Sequence, residues 1–125
     1  MDVTPLIPQG KQVIESYGEG RFRISGQVHQ GSVIVFPERT LSWPVADFAE
    51  LKPESLEAVA EARKSVDVLL LGCGARMQLV PRLLREKLRV AGIVIEPMDT
   101  GAACRTFNVL MSEERQVAAA LIAVD

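Results

Sequence analysis

Between residues 66 and 96 the hydrophobic period of the chain changes twice. Val66-Asp67-Val68-Leu69-Leu70-Leu71 is an apolar run too short for an independent helix, and it stops at Gly72, as a buried strand would. Residues 79–90 then carry Pro81 near their start, basic residues in the last turns and Gly92 just beyond the end, which predicts a helix. Ile93-Val94-Ile95-Glu96 returns to a short β-branched run. Strand, helix and strand in succession make a βαβ unit, whose two strands are expected to be parallel and neighbouring or nearly so. This unit sets the class as α/β.

The flanking segments must complete that unit. Val13-Ile14-Glu15-Ser16-Tyr17 and Arg21-Phe22-Arg23-Ile24-Ser25 alternate around Gly18-Glu19-Gly20, which predicts a β-hairpin with Phe22 and Ile24 facing the core. Residues 27–30, 32–36 and 40–43 read as further short strands, bounded by Gly31, Pro37 and Pro44. Residues 53–63 have a proline and acids at the start and apolar positions at Leu56, Val59 and Ala60, so a helix is expected there. Thr100 is expected to be the N-cap of another helix running to about Met111. Residues 116–124 stay open between helix, favoured by Ala118-Ala119-Ala120, and strand, permitted by the short apolar run. The 125 residues make one domain, with about 1–10 as an extended N-terminal segment.

Charge and cysteine content narrow the function. Fourteen basic and 16 acidic side chains give a formal net charge of −2, a near balance that gives no electrostatic argument for nucleic acid. No segment approaches the roughly 20 apolar residues of a membrane helix. MDVTPLIPQG has neither a secretory nor a transit pattern, so a soluble, cytoplasmic protein is expected. Cys73 and Cys104 form no CxxC pair and are expected to be free thiols. No HxxxH, no clustered Cys/His set and no GxSxG is present, and His29 is the lone histidine; neither a metal nor a cofactor is expected.

The residues that could carry chemistry fall where the two parallel strands end, the edge at which ligands gather in such sheets. Gly72-Cys73-Gly74-Ala75-Arg76 follows the first strand, and Met98-Asp99-Thr100-Gly101-Ala102-Ala103-Cys104-Arg105 follows the second. Because both stretches fall at that edge, Cys73 and Cys104 are expected to lie near each other although far apart in sequence. Gly72-Cys73-Gly74 opens like a dinucleotide fingerprint, but Met77 stands where the third glycine is needed. Two glycines that turn the chain, or backbone N–H groups that cradle a small anion with Arg76, are the alternatives. Cys104, read in the first turn of its helix and beside Arg105, is placed to favour thiolate; a packed core cysteine is the competing reading. Asp99, beside Thr100, suits general-acid or metal-ligand duty, while capping and turn formation account for both residues. Asn108 is expected to hydrogen-bond nearby backbone, and Trp43 and Phe107 to be core or interface anchors.

Leu70-Leu71-Gly72-Cys73-Gly74 and Met98-Asp99-Thr100-Gly101-Ala102-Ala103-Cys104-Arg105-Thr106-Phe107-Asn108-Val109-Leu110, with Arg115, residues 117–121 and Trp43, carry a resemblance. From about Phe22 onward the chain is similar to a family of small α/β domains, largely of unknown function, that includes the mitochondrial respiratory complex I assembly factor 3. The resemblance implies a three-layer sandwich around a mixed β-sheet, with residues 116–123 as a strand. It implies a non-enzymatic protein-interaction module whose partners are respiratory-complex subunits, peripheral to the inner membrane through those partners. Cys73 stands where the family usually has Thr, and Phe107 where Tyr is frequent. If either hydroxyl carries chemistry in the family, this chain lacks it. The alternative function is a small-ligand, anion or thiol site built from Gly72, Cys73, Gly74, Arg76, Asp99, Thr100, Cys104, Arg105 and Asn108.

Overall fold

A computed structural model describes residues 10–125. The N-terminal segment expected over about 1–10 therefore lies, apart from Gly10, outside the described residues. Among the described residues, eight strands form two sheets. The first is an antiparallel meander of β1 (Ile14–Gly18), β2 (Arg21–Ile24) and β3 (Gln27–Gln30). The second contains β4 (Val33–Val35), β5 (Thr40–Ser42), β6 (Val68–Gly72), β7 (Val94–Met98) and β8 (Val117–Leu121), in the order β5-β4-β8-β6-β7. It is mixed: β6 pairs in parallel with both β7 and β8, while β4 pairs antiparallel with β8 and β5.

Alternation along the central strands divides the core in two. Leu69, Leu71, Ile95, Ala118 and Ala120 point to one face, where they meet Leu56 and Val59 and the helix-borne Leu84 and Leu88. Leu70, Val117, Ala119 and Leu121 point to the other, against Ala103, Cys104, Phe107 and Met111 and against Phe22 and Ile24 of the meander. Helix α2 (Arg82–Val90) and the short α1 (Glu57–Glu61) thus cover one face, and α3 (Thr100–Ser112) and the three-stranded sheet cover the other. This is the three-layer arrangement, and β6 and β7 are adjacent and parallel as the βαβ reading requires.

Three helix expectations change in detail. The helix expected over 53–63 is a 3-10 turn (Pro53–Leu56), one α segment (Glu57–Glu61) and another 3-10 turn (Arg63–Ser65). The Trp43 indole donates to the Ser55 carbonyl at 2.7 Å, an acceptor that a continuous helix would offer to Val59. The helix expected from residue 79 begins at Arg82, because Pro81 disfavours helical backbone at Val80. It ends as foreseen at Gly92 (φ +81°), where Ile93 N–H reaches Leu88 O and Gly92 N–H reaches Arg89 O. The cap of α3 is Asp99 rather than Thr100: its carboxylate accepts from Ala102 N–H at 2.9 Å, and Thr100 is the first helical residue.

The ambiguous tail is a strand, β8, at the centre of the sheet. It is buried along its whole length, and a strand covered on both faces reads as a continuous apolar run instead of an alternating one. Helix propensity of the alanines yields to pairing with two neighbours. Trp43 and Phe107 are both buried.

Candidate functional site

The carboxyl ends of β6 and β7 meet the start of α3 in a dense knot of hydrogen bonds. Thr100, fully buried, donates its hydroxyl to Ile122 O at 2.7 Å and accepts from Gly74 N–H at 3.0 Å, while its own N–H reaches Gly74 O at 2.9 Å. Cys73 N–H reaches Met98 O at 2.9 Å, and Ile122 N–H reaches Gly72 O at 3.0 Å. One side chain therefore ties the ends of β6 and β8 to the first turn of α3. Thr100 cannot serve as a cap because its hydroxyl is engaged beneath the helix.

The two glycines of this knot do different work. Gly74 has φ +101° and turns the chain. Gly72 does not turn it: a Cβ there would stand 3.0 Å from Leu121 Cδ2 and 3.1 Å from Thr100 Cα, so its role is to let α3 approach the sheet. The residues after Gly74 stay non-helical until Arg82. No helix N-terminus therefore follows the glycines directly, as a phosphate cradle of the dinucleotide type requires.

The thiols are separated. Cys73 packs in the core on the α2 face, with its Sγ 3.5 Å from Leu71 O, while Cys104 packs on the α3 face. The two do not come together, because β6 puts successive residues on opposite faces and α3 lies behind the sheet from Cys73. Burial pushes the Cys73 thiol up, with hydrogen bonds from backbone opposing it and the Asp99 charge adding to it. Cys104 is the fifth residue of α3, not a first-turn residue, and burial pushes its thiol up to about 12, with Arg105 only partly opposing. Of the two readings of Cys104, desolvation favours the packed core cysteine over the thiolate. A neutral, buried thiol is a poor nucleophile near pH 7.

Asn108, one further turn along α3, holds β1 by both ends of its amide. Its Nδ2 donates to Ile14 O at 2.8 Å and its Oδ1 accepts from Ile14 N–H at 3.0 Å. Arg105 is exposed and its guanidinium lies 3.5 Å from the Tyr17 hydroxyl. Arg76 stands apart, exposed in the loop between β6 and α2. Gly72, Cys73, Gly74, Asp99 and Thr100 are therefore brought together, whereas Arg76, Cys104 and Asn108 lie elsewhere.

Tyr17 is the residue that sequence reasoning missed. Its hydroxyl occupies the place where a Cβ on Gly101 would be, so the bare glycine admits the ring against the start of α3. A glycine inside a helix's first turn was the available signal, since it costs stability unless something approaches closely. Among the described residues no group of three or more His, Cys, Asp or Glu side chains could hold a metal. Nor is any helix among them long and apolar enough to cross a membrane.

The chain is similar to known proteins. An uncharacterized protein of Rhodobacter capsulatus is 39% identical over 113 residues, which cover 90% of this chain and 86% of that protein. The NADH dehydrogenase [ubiquinone] 1 alpha subcomplex assembly factor 3 of Danio rerio is 40% identical over 110 residues, 88% of this chain but 63% of that protein's length. A crystal structure described as an outer membrane protein from Bartonella henselae superposes with a TM-score of 0.87 at 38% identity, covering 93% of this chain and 98% of that one. From residue 14 to residue 122 the chain matches the model of one family, and it belongs to that family, described as protein of unknown function (DUF498/DUF598).

Proposed function

We propose that this chain is a protein-interaction module that assists the assembly of a respiratory complex, and that it is not an enzyme. The observation that carries the reading is the commitment of the junction's polar groups. The Thr100 hydroxyl, the Asp99 carboxylate and the Asn108 amide each bond backbone, and both thiols are buried and pushed toward the neutral form. A nucleophile, base or anion site needs side chains free to meet a ligand, and here they hold strands and helix together. The relationship to proteins named as complex I assembly factors supports the role, which rests on contact rather than turnover.

In this reading the protein works on the cytoplasmic side of a membrane, held near it by respiratory-complex subunits. Affinity purification of the tagged chain from gently solubilised cells, quantified against untagged cells, tests it. Enrichment of complex I subunits or their assembly intermediates is expected. Recovery of those subunits at control level would overturn the reading.

A further inference from the structure

The charges of this chain are unevenly placed. From Gly74 to Ala91 there are five basic residues (Arg76, Arg82, Arg85, Lys87 and Arg89) and one acid, Glu86. That stretch carries a formal +4 in a chain whose total is −2, so everything else sums to −6. Lys87 is paired with Glu57 and Arg89 with Glu86, and Arg85 reaches the Ile95 carbonyl, whereas Arg76 and Arg82 stand exposed with no ion pair among the described residues.

The same stretch exposes its apolar side chains. Met77 is 56% exposed, Leu79 86%, Leu83 71% and Val90 80%. α2 already buries Leu84 and Leu88 against the sheet, so Leu83 and Val90 are not a misplaced core face. Seven residues apart, they lie on one stripe of the helix two turns from each other, and Leu79 precedes the first turn by three residues. Protruding leucines flanked by arginines, on a loop and a helix surface instead of in a groove, match what a lipid headgroup region accepts. Apolar tips enter the acyl boundary while guanidinium groups stay at phosphate level.

We propose that loop 75–81 and the outward face of α2 form a peripheral docking surface for an anionic lipid bilayer. Charge complementarity selects the occupant: residues 74–91 are cationic in an otherwise acidic protein, and Arg63 stands beside Glu57 and Glu61 where α1 borders Lys87 and Val90, so a negatively charged leaflet attracts the loop and α2 rather than the remainder of the chain. Docking so oriented leaves α3 and the meander, on the opposite face of the sheet, turned toward the aqueous side. The contact is made by this chain directly and does not depend on the assembly partners proposed above.

Co-sedimentation with vesicles tests it, using phosphatidylcholine alone and phosphatidylcholine with about one quarter phosphatidylglycerol. The full chain is expected to bind the anionic vesicles at low salt, and binding should fall roughly tenfold at about 0.5 M salt. Arg76→Gln with Arg82→Gln, and separately Leu79→Ser with Leu83→Ser, should each weaken binding about tenfold. All four positions are solvent-exposed, and an unchanged thermal melt establishes that each double variant folds. Equal binding to both vesicle types, no binding to either, or full binding by either folded double variant would overturn the proposal. So would a chain that ignores anionic vesicles yet binds native membranes until they are treated with protease, since the occupant would then be a protein. Vesicle binding without subunit enrichment would sink the assembly reading alone, and the converse would sink this one alone.

Discussion

Helices α3 and α2 cover opposite faces of one sheet and use their side chains in opposite ways. α3 turns polar groups inward: Thr100 reaches Gly74 and Ile122, and Asn108 reaches both backbone groups of Ile14. α2 buries two leucines and exposes arginines together with Leu83 and Val90. The residues that look most reactive in the sequence are therefore architectural. Side chains free to meet another molecule come from a stretch that reads as an ordinary amphipathic helix.

The contrast can be broken most sharply at Thr100. Thr100→Val keeps the shape but leaves Ile122 O and Gly74 N–H without their partner, and should cost roughly 2–4 kcal/mol in urea unfolding. Thr100→Ser, which keeps the hydroxyl, should cost less. If serine proved the worse substitution, the hydroxyl would not be what joins these elements.

Gly72→Ala comes next, at about 1–3 kcal/mol, because the new methyl would meet the Thr100 Cα, which can shift only with the helix. Gly101→Ala is its counterpart. There the obstacle is the end of the half-exposed Tyr17 ring, which can swing away, so stability should change by less than about 1 kcal/mol. Loss of the Tyr17 to α3 contact in NMR spectra would report the displacement.

An effect confined to alkaline pH follows from Cys104. Its thiol ionises near 9.0 when unfolded but is pushed up to about 12 when folded. The unfolded chain therefore loses the proton first, and stability falls as pH rises from about 9 toward 12; below that window the contribution is full and constant. The slope should approach roughly 1.4 kcal/mol per pH unit within the window. Chemical denaturation of wild type and Cys104→Ala at pH 8 and above isolates it: the variant should lack that part of the decline, and parallel curves would refute it.

The two helix ends provide the finest test. α2 closes with Gly92 in the left-handed region, and α3 closes the same way with Glu114 (φ +61°), whose N–H reaches Met111 O while Arg115 N–H reaches Leu110 O. Gly92→Ala should lower stability by about 1 kcal/mol, and Glu114→Gly should raise it by up to about 1 kcal/mol. Differential scanning calorimetry would separate the two signs.

Much of this was legible in sequence because the signals are local. The apolar run before Gly72, the helix ending at Gly92 and the hairpin around Gly18-Glu19-Gly20 each depend on neighbours a few residues away. What escaped depends on partners far along the chain. Asp99 took the cap because Thr100 was needed by Ile122, and the segment around Glu57 broke where Trp43 reaches the Ser55 carbonyl. Residues 117–121 are the strand that the family resemblance implied; their own residues left it open, because the pairing with β4 and β6 that decides it is not contained in local propensity. The site followed the same division: Gly74 turned as read, whereas the separation of Cys73 from Cys104 follows from which face of the sheet each occupies.

The place of β8 has a consequence for how the chain is made. The strand pairs β4 with β5 and β6 with β7 have no bonded neighbour in common except β8, which follows all of them in sequence. A ribosome that has delivered the chain only as far as Arg115 holds two unjoined sheet fragments, each with an open edge where β8 will insert. Closure waits for residues 117–121, and until then those edges are available to other nascent chains or to a holding chaperone.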